Sequence, residues 1–479
     1  MTASHSSAAD PTQATDPAGP TGLLVDWLAG LSLSDVPADV AARAKDLILD
    51  GIACAFVGAR LPWSDTAVDA VVALEGRGDR TIIGRGQTTS APAAALLNGT
   101  FIQGFELDDF HPAAPLHSAS LILPALLAAA EEAGEMSGER FLLATIAGLE
   151  VGPRVGRALH GGQMLSRGWH SGAVFGTHAA AASTGVLLGL NPGQLEDALG
   201  LAGTQSAGLM AAQYEAMCKR MHHGFSARNG LYATMLARGG YTGIKRVFER
   251  EYGGFLSVFG EGHDPDASQI AAELGARWET REVGIKRYAA MGALHSPLDV
   301  ILELRETGGF RPDEVETIDI YLSHAAYHHG WWVPERPLTP IGAQMNVGYA
   351  VAVGLLDGAA MGEQFSPTRI DADDVWALVP RITAHHDPAF DVRPEQKMST
   401  RLVVRLQDGR TVEGRRALPD TIGKPLDRQG VIDKYRTLVS PLIDAERMAA
   451  VEAAVDDIEN RSVSEVIALL APSVRPLFA

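Results

Sequence analysis

Residues 91–134, APAAALLNGTFIQGFELDDFHPAAPLHSASLILPALLAAAEEAG, read as helix, interruption, helix. The Ala- and Leu-rich flanks have the composition of buried helices. Between them Glu106, Asp108, Asp109, His111 and His117 crowd into twelve positions. Pro112 and Pro115 forbid a continuous helix between the two imidazoles, because each fixes φ and removes a backbone donor. A solvated interhelix loop is the ordinary reading of such a segment. So dense an ionisable cluster between apolar helices points instead to a functional site.

Working outward, the helical pattern holds from residue 21 to about 280. Asp35 and Pro37 precede DVAARAKDLILDGIACAFVGA, where Val40, Ala44, Leu47, Ile48 and Ile52 recur at helical spacing. Ser90 and Pro92 mark one helix start, and Ser137 marks another. Residues 171–240 are rich in Ala, Gly, Ser and Thr, small contact residues that let helix axes approach closely. After 280 the character changes. VETIDIYLSH (315–324) alternates as a half-buried strand, and TRLVVRLQDGRTVEGRRAL (400–418) is a hairpin around Asp408–Gly409. Between them Pro340–Met361 and Asp373–Leu378 read as helical, and the C-terminal stretch returns to amphipathic helices. The expected organisation is mainly α: a disordered tail at 1–20, an all-helical domain from 21–280 and 418–479, and a smaller α+β lid domain at 281–417.

The 479 residues carry 40 Lys+Arg against 58 Asp+Glu, a net charge of −18, with a mean hydropathy of +0.03. Such a balance argues against nucleic-acid and anionic-membrane partners but allows an anionic substrate held by local cations. Residues 171–190 lack a formal charge over a membrane-spanning length, yet four glycines, two serines, two threonines and a histidine make a buried helix the better reading. Cys54 and Cys218 show no paired spacing, which excludes a disulfide framework and a cysteine zinc site and fits a cytoplasmic setting. The N-terminus has no apolar core of a signal peptide.

Four further segments place ionisable residues in apolar surroundings. His170 precedes the small-residue helix, where backbone N–H groups attract anions. MCKRMHHGFSARNG (217–230) gathers Lys219, Arg220, His222, His223 and Arg228, and at least one of these cations should point inward. Lys286, Tyr288 and His295 fall at the domain boundary, where ligand clefts form. Tyr349 sits on a helix of small apolar residues, where core packing is the ordinary alternative. The opening cluster offers enough metal ligands, but no compact zinc spacing is present and the carboxylates are too adjacent to converge. No G-x-S-x-G elbow, Walker lysine or G-x-G-x-x-G turn occurs.

Taken in order, LILDGIACAFVGAR, the FELDDFHPAAPLHSAS segment, GWHSGAVFGTHAAAAST, MCKRMHHGFSARNG, KRYAAMGALHSPLD and PIGAQMNVGYAVAVGLLDG resemble the MmgE/PrpD family from about residue 22 to the end. That family includes 2-methylcitrate dehydratase, cis-aconitate decarboxylase and an iminodisuccinate epimerase. ELDDFH…PLHSAS, MCKRMHHGFSARNG and GWWVPERPLTPIGAQM look closest to the decarboxylase branch. The resemblance implies a helical domain with an α+β lid, a homodimer, and neither metal nor organic cofactor. Carried over position by position, the pocket histidines fall on His117 and His170, the lysines on Lys219 and Lys286, and a pocket tyrosine on Tyr349. Glu106 stands where the family often has Asp, Phe110 where it often has Thr, and AAMGA replaces a small cysteine-containing turn.

The resemblance thus implies a site for a small tricarboxylate. His117 would donate a proton, His170 would polarise a carboxylate, and Lys219 and Lys286 would hold the anion. Glu106 or Asp109 would orient an imidazole, with Tyr349 catalytic and His222 and His295 binding substrate. Decarboxylation, dehydration and epimerisation all remain open on this inventory. A non-catalytic polyacid-binding dimer is a further alternative.

Overall fold

The computed structural model describes residues 10–393 and 396–478. Its larger part is a stack of helices, and the helix starts follow the sequence signals. Ser90 Oγ accepts the Ala93 N–H ahead of helix Ala91–Ile102, and Ser137 Oγ accepts the Arg140 N–H ahead of helix Gly138–Ala158. Two prolines lie inside helices rather than ending them: Pro124 in Ala119–Ala133 and Pro153 in Gly138–Ala158.

Small residues set how closely these helices pack. A Cβ on Gly224 would collide with the Leu96 carbonyl oxygen, so helices Ala91–Ile102 and Cys218–Arg238 touch backbone to backbone. Gly230 is likewise closed off by Ala180 of helix Ser171–Leu188. These contacts fix the first turn of Cys218–Arg238, with its lysine, arginine and two histidines, against the interrupted 105–118 segment.

The smaller part is built on a four-stranded sheet. A separate hairpin, β1 (Arg80–Ile82) and β2 (Gln87–Thr89), lies in the helical part. The sheet comprises β3 (Val315–Leu322), β4 (Ile382–His386), β5 (Thr400–Leu406) and β6 (Thr411–Arg416) in the order β4-β3-β5-β6. The β3–β4 pair is parallel and the other two pairs are antiparallel, with Ile318 opposite Val404. Ile318, Ile320 and Leu322 alternate inward as the sequence pattern predicts. Helix His295–Thr307 packs on the sheet at Gly414, where a Cβ would meet Val300 at 2.6 Å. The helical run expected at 340–361 divides into Pro340–Met345 and Val347–Asp357, with Asn346 Oδ1 capping the second through the Tyr349 N–H.

The described segments nearest each end of the chain pack on the helical part. Lys434, in helix Arg428–Val439, pairs with Asp50 at 2.6 Å and donates to the Leu107 carbonyl at 2.7 Å. The sequence predicts a disordered tail as far as residue 20. Residues 1–9 lie outside the described residues, but from residue 10 the chain is docked. Thr15 donates to Glu196 through its N–H and hydroxyl at 3.0 and 2.9 Å, Ala14 is buried, and a helix starts at Pro20.

Candidate active site

The interrupted segment is shaped by its own backbone. One 3-10 turn, Gln103–Phe105, ends helix Ala91–Ile102, and Glu106 follows at φ 56°. A left-handed conformation costs a residue with a Cβ roughly 1–2 kcal/mol, so the surroundings must fix it. Here it turns the carboxylate inward: Oε1 accepts from both Lys219 and Arg220, and Oε2 accepts from Lys286 Nζ at 2.8 Å. The other Arg220 nitrogen donates to Gln344 Oε1 at 2.6 Å, and Gln344 Nε2 donates to the Phe105 carbonyl at 2.8 Å. Three cations from two regions of the chain thus converge on one buried carboxylate. Phe110 and Gly284 exchange both backbone hydrogen bonds at 2.9 Å, which stitches the Lys286 segment to the same stretch.

Electrostatics follow from burial. Desolvation alone would raise the Glu106 pKa, but Lys219, Lys286 and Arg220 outweigh it and hold the carboxyl well below the usual range. Burial pulls Lys219 down to about 8, with Glu106 working against the fall. Burial also opposes ionisation of Asp108, yet the neighbouring His117 keeps its carboxyl below the ordinary value. Asp109 goes the other way: burial and then Asp108 push it up to about 6, despite N–H bonds from Ser118 and Ala119 at 2.7 and 2.8 Å.

His117 is oriented by two groups of its own segment. Its Nδ1–H donates to the Asp109 carbonyl at 2.8 Å, with Asp108 Oδ1 3.3 Å away. That fixes the tautomer and leaves Nε2 for the cavity. Beyond it runs a file of rings, His117–His223–His170–His222, with centroids 5.3, 5.0 and 5.1 Å apart. His170 and His222 share a 2.8 Å Nδ1···Nδ1 hydrogen bond, and His223 Nδ1 meets Ser120 Oγ at 2.7 Å. Burial, and then the neighbouring cations and imidazoles, depress His170 and His223 well below the ordinary histidine range and bring His222 to about 4. His170 also occupies the N-cap position at the positive end of helix Ser171–Leu188, without a side-chain capping bond.

A cavity of about 180 Å³ lies against this assembly, lined among others by Glu106, His117, His170, Ser171, Lys219 and Phe110. That is small beside the roughly 300–1,000 Å³ of drug-sized ligand sites, and it suits a compact acid. Of the residues expected from the sequence, Glu106, His117, His170 and Lys219 meet here. Lys286 is fully buried and joins through Glu106 without lining the cavity.

The remaining expectations need correction. Glu106 orients cations rather than an imidazole. The Asp109 carboxylate caps helix Ala119–Ala133, and only its carbonyl touches His117. Tyr349 is buried in the smaller part, where its hydroxyl donates to the Gln364 carbonyl at 2.6 Å, and it does not line the cavity. His295 is held by Thr421 Oγ1 at 2.8 Å and the Ala290 carbonyl at 3.2 Å, with the Phe110 ring alongside. His222 opens onto a separate surface cleft and reaches the cavity only through His170. Sequence reading places Asp108 in the ionisable cluster without a role of its own, and assigns none to His223, Gln344, His329 or Lys397. His223 is visible as part of the basic window, but nothing in the pattern around Gln344, His329 or Lys397 sets them apart.

Among the described residues, His111, Glu279 and Glu282 have metal-ligand spacing. Arg157 pairs with both carboxylates at 2.8 Å and Arg277 takes Glu279 at 2.9 Å, so this is a neutralised ion cluster that pins His111. No described helix is long and apolar enough to cross a membrane.

Fold and site together define a two-domain enzyme, with a large helical domain and a small α+β domain meeting at a pocket of imidazoles and ammonium groups. The chain belongs to the MmgE/PrpD family: the model of its N-terminal domain matches residues 23–268, and that of its C-terminal domain matches 288–460. A cis-aconitate decarboxylase-like protein of Aspergillus oryzae is 44% identical, over 96% of this chain and 99% of that protein. A cis-aconitate decarboxylase of Aspergillus terreus is 41% identical over 96% and 97% of the two chains. The human cis-aconitate decarboxylase is 25% identical over 93% of each.

Proposed function

We propose that this protein is a carboxy-lyase that converts cis-aconitate to itaconate and CO₂. The observation that carries the reading is the cavity itself, where Lys219 and an oriented His117 face one small space beside the positive end of helix Ser171–Leu188. Its support is the 41–44% identity to proteins named for that reaction.

In the reaction the bond from the substrate's methylene carbon to its carboxylate breaks and CO₂ leaves. The electron pair forms the new methylidene double bond, and the original double bond passes its electrons to the carbon beside the distal carboxylate. That carbon then takes a proton. Lys219 sits where negative charge must be stabilised, in a site that burial keeps dry. His117 delivers the proton from Nε2 as the imidazolium and is left as the neutral Nδ1–H tautomer, because Nδ1 is committed to Asp109 and Asp108. His170, kept neutral by burial, hydrogen-bonds a carboxylate rather than pairing with it as a cation.

Phe225, Tyr232 and Leu236 are exposed on helix Cys218–Arg238, as are Leu209, Tyr214 and Met217 in the segment before it. Such a patch suits the partner copy of a homodimer. Free Cys54 and Cys218 fit the reducing cytoplasm.

The test is to incubate purified protein separately with cis-aconitate and with 2-methylcitrate. Itaconate and CO₂ from the first, without turnover of the second, are expected. Dehydration of 2-methylcitrate without CO₂ release from cis-aconitate would replace this reading by a hydro-lyase.

A further inference from the structure

All three cations around Glu106 share that carboxylate, and of them only Lys219 lines the cavity. A tricarboxylate brings three negative charges, and the helical domain alone leaves at least one of them unanswered. The smaller domain offers what is missing. His329, in helix His324–Gly330, lines the cavity and is 7% exposed. Its Nε2 is buried and has no hydrogen-bond partner among the described residues. A buried imidazole nitrogen facing a cavity in that condition is a group waiting for a ligand atom.

Lys397 stands at the mouth. It lines the cavity and also the outer cleft next to it, the two sharing Pro112, Gly162 and Met398 as well. Among the described residues its ammonium takes part in no ion pair, whereas its backbone is pinned. Ser323 Oγ donates to the Lys397 carbonyl at 2.6 Å, Ser296 Oγ to the Met398 carbonyl at 2.7 Å, and Ser399 Oγ to the Ala417 carbonyl at 3.0 Å. A cation on a fixed backbone at the entrance to an anion pocket is placed to recognise charge.

We propose that His329 and Lys397 form a carboxylate-binding subsite on the smaller domain, which takes the substrate carboxylate nearest the mouth and selects tricarboxylates over dicarboxylates. The inference rests on the tricarboxylate reading of the pocket. It also assigns the smaller domain a direct part in specificity.

Two non-reacting acids that differ by one carboxylate test it: propane-1,2,3-tricarboxylate and 2-methylsuccinate, titrated calorimetrically into the full-length protein. Lys397→Ala should weaken the tricarboxylate at least tenfold and change the dicarboxylate less than twofold, and Lys397→Arg should restore binding to within threefold of wild type. His329→Leu should weaken the tricarboxylate to a similar degree, and His329→Gln, which keeps a hydrogen-bonding group, should lose less. Wild-type binding of the tricarboxylate by Lys397→Ala, or an equal loss for both acids, would overturn the proposal. Should His329→Leu fail to fold, the exposed Lys397 variants decide alone. CO₂ release from cis-aconitate is followed in parallel on the wild type. Its absence would sink the decarboxylase reading without altering the comparison of the two acids.

Discussion

Lys286 Nζ lies 2.8 Å from Glu106 Oε2, and both groups are fully buried. One comes from the boundary between the two domains and the other from the left-handed residue that ends a helix of the larger one. The pair therefore does two jobs. It fixes how the boundary segment sits on the helical domain, and it holds the cationic side of the pocket in place before any ligand arrives.

Removing the shared carboxylate should be costly. Glu106→Gln leaves Lys219, Arg220 and Lys286 buried without their common acceptor. Breaking a buried charge cluster from one side typically costs about 3–5 kcal/mol. Urea unfolding should show a loss of that order together with loss of turnover. A variant as stable as wild type would mean that the three cations do not depend on Glu106.

His117→Ala should lower kcat by about 10²–10⁴, the usual worth of a positioned proton donor, with KM changed only a few-fold and folding intact. A variant within threefold of wild-type kcat would move the proton donor elsewhere.

The pH dependence has a definite sign. An amine is cationic below its pKa, and burial has brought Lys219 down to about 8. Anion capture is therefore present at pH 7 and lost as pH rises through 8. On the alkaline side kcat/KM for cis-aconitate should fall about tenfold per unit. Lys219→Arg, whose guanidinium stays charged, should lose this alkaline limb whatever its absolute rate. A wild-type profile flat to pH 9.5 would contradict the role given to Lys219.

Tyr349→Phe separates the structure from the expectation drawn from resemblance. The hydroxyl bonds Gln364 and does not reach the cavity. Its removal should cost about 1 kcal/mol of stability and leave kcat/KM within threefold. A hundredfold loss of activity in a folded variant would return Tyr349 to the reaction.

The frame of the fold was legible because local signals carry it. Ser90 and Ser137 cap as their positions predict, β3 alternates, and the 400–418 hairpin closes around Asp408–Gly409. Half of the site was legible for the same reason, since Glu106, His117, His170 and Lys219 lie in dense ionisable runs. The rest depends on bonds that exist only once the chain has folded. The resemblance put Tyr349 in the site and the domain boundary singled out His295, yet the fold satisfies both elsewhere: Gln364 for the tyrosine, Thr421 and Ala290 for the histidine. Conversely, His329 and Lys397 lie in unremarkable stretches and come to line the cavity only when the smaller domain is placed against the larger.

The most direct test is proton NMR of wild-type protein turning over cis-aconitate in D₂O. The account predicts itaconate carrying one deuterium on its saturated methylene carbon and none on its methylidene carbon, because the single proton delivered by His117 exchanges with solvent. Failure to form itaconate, or deuterium on the methylidene carbon, would contradict it.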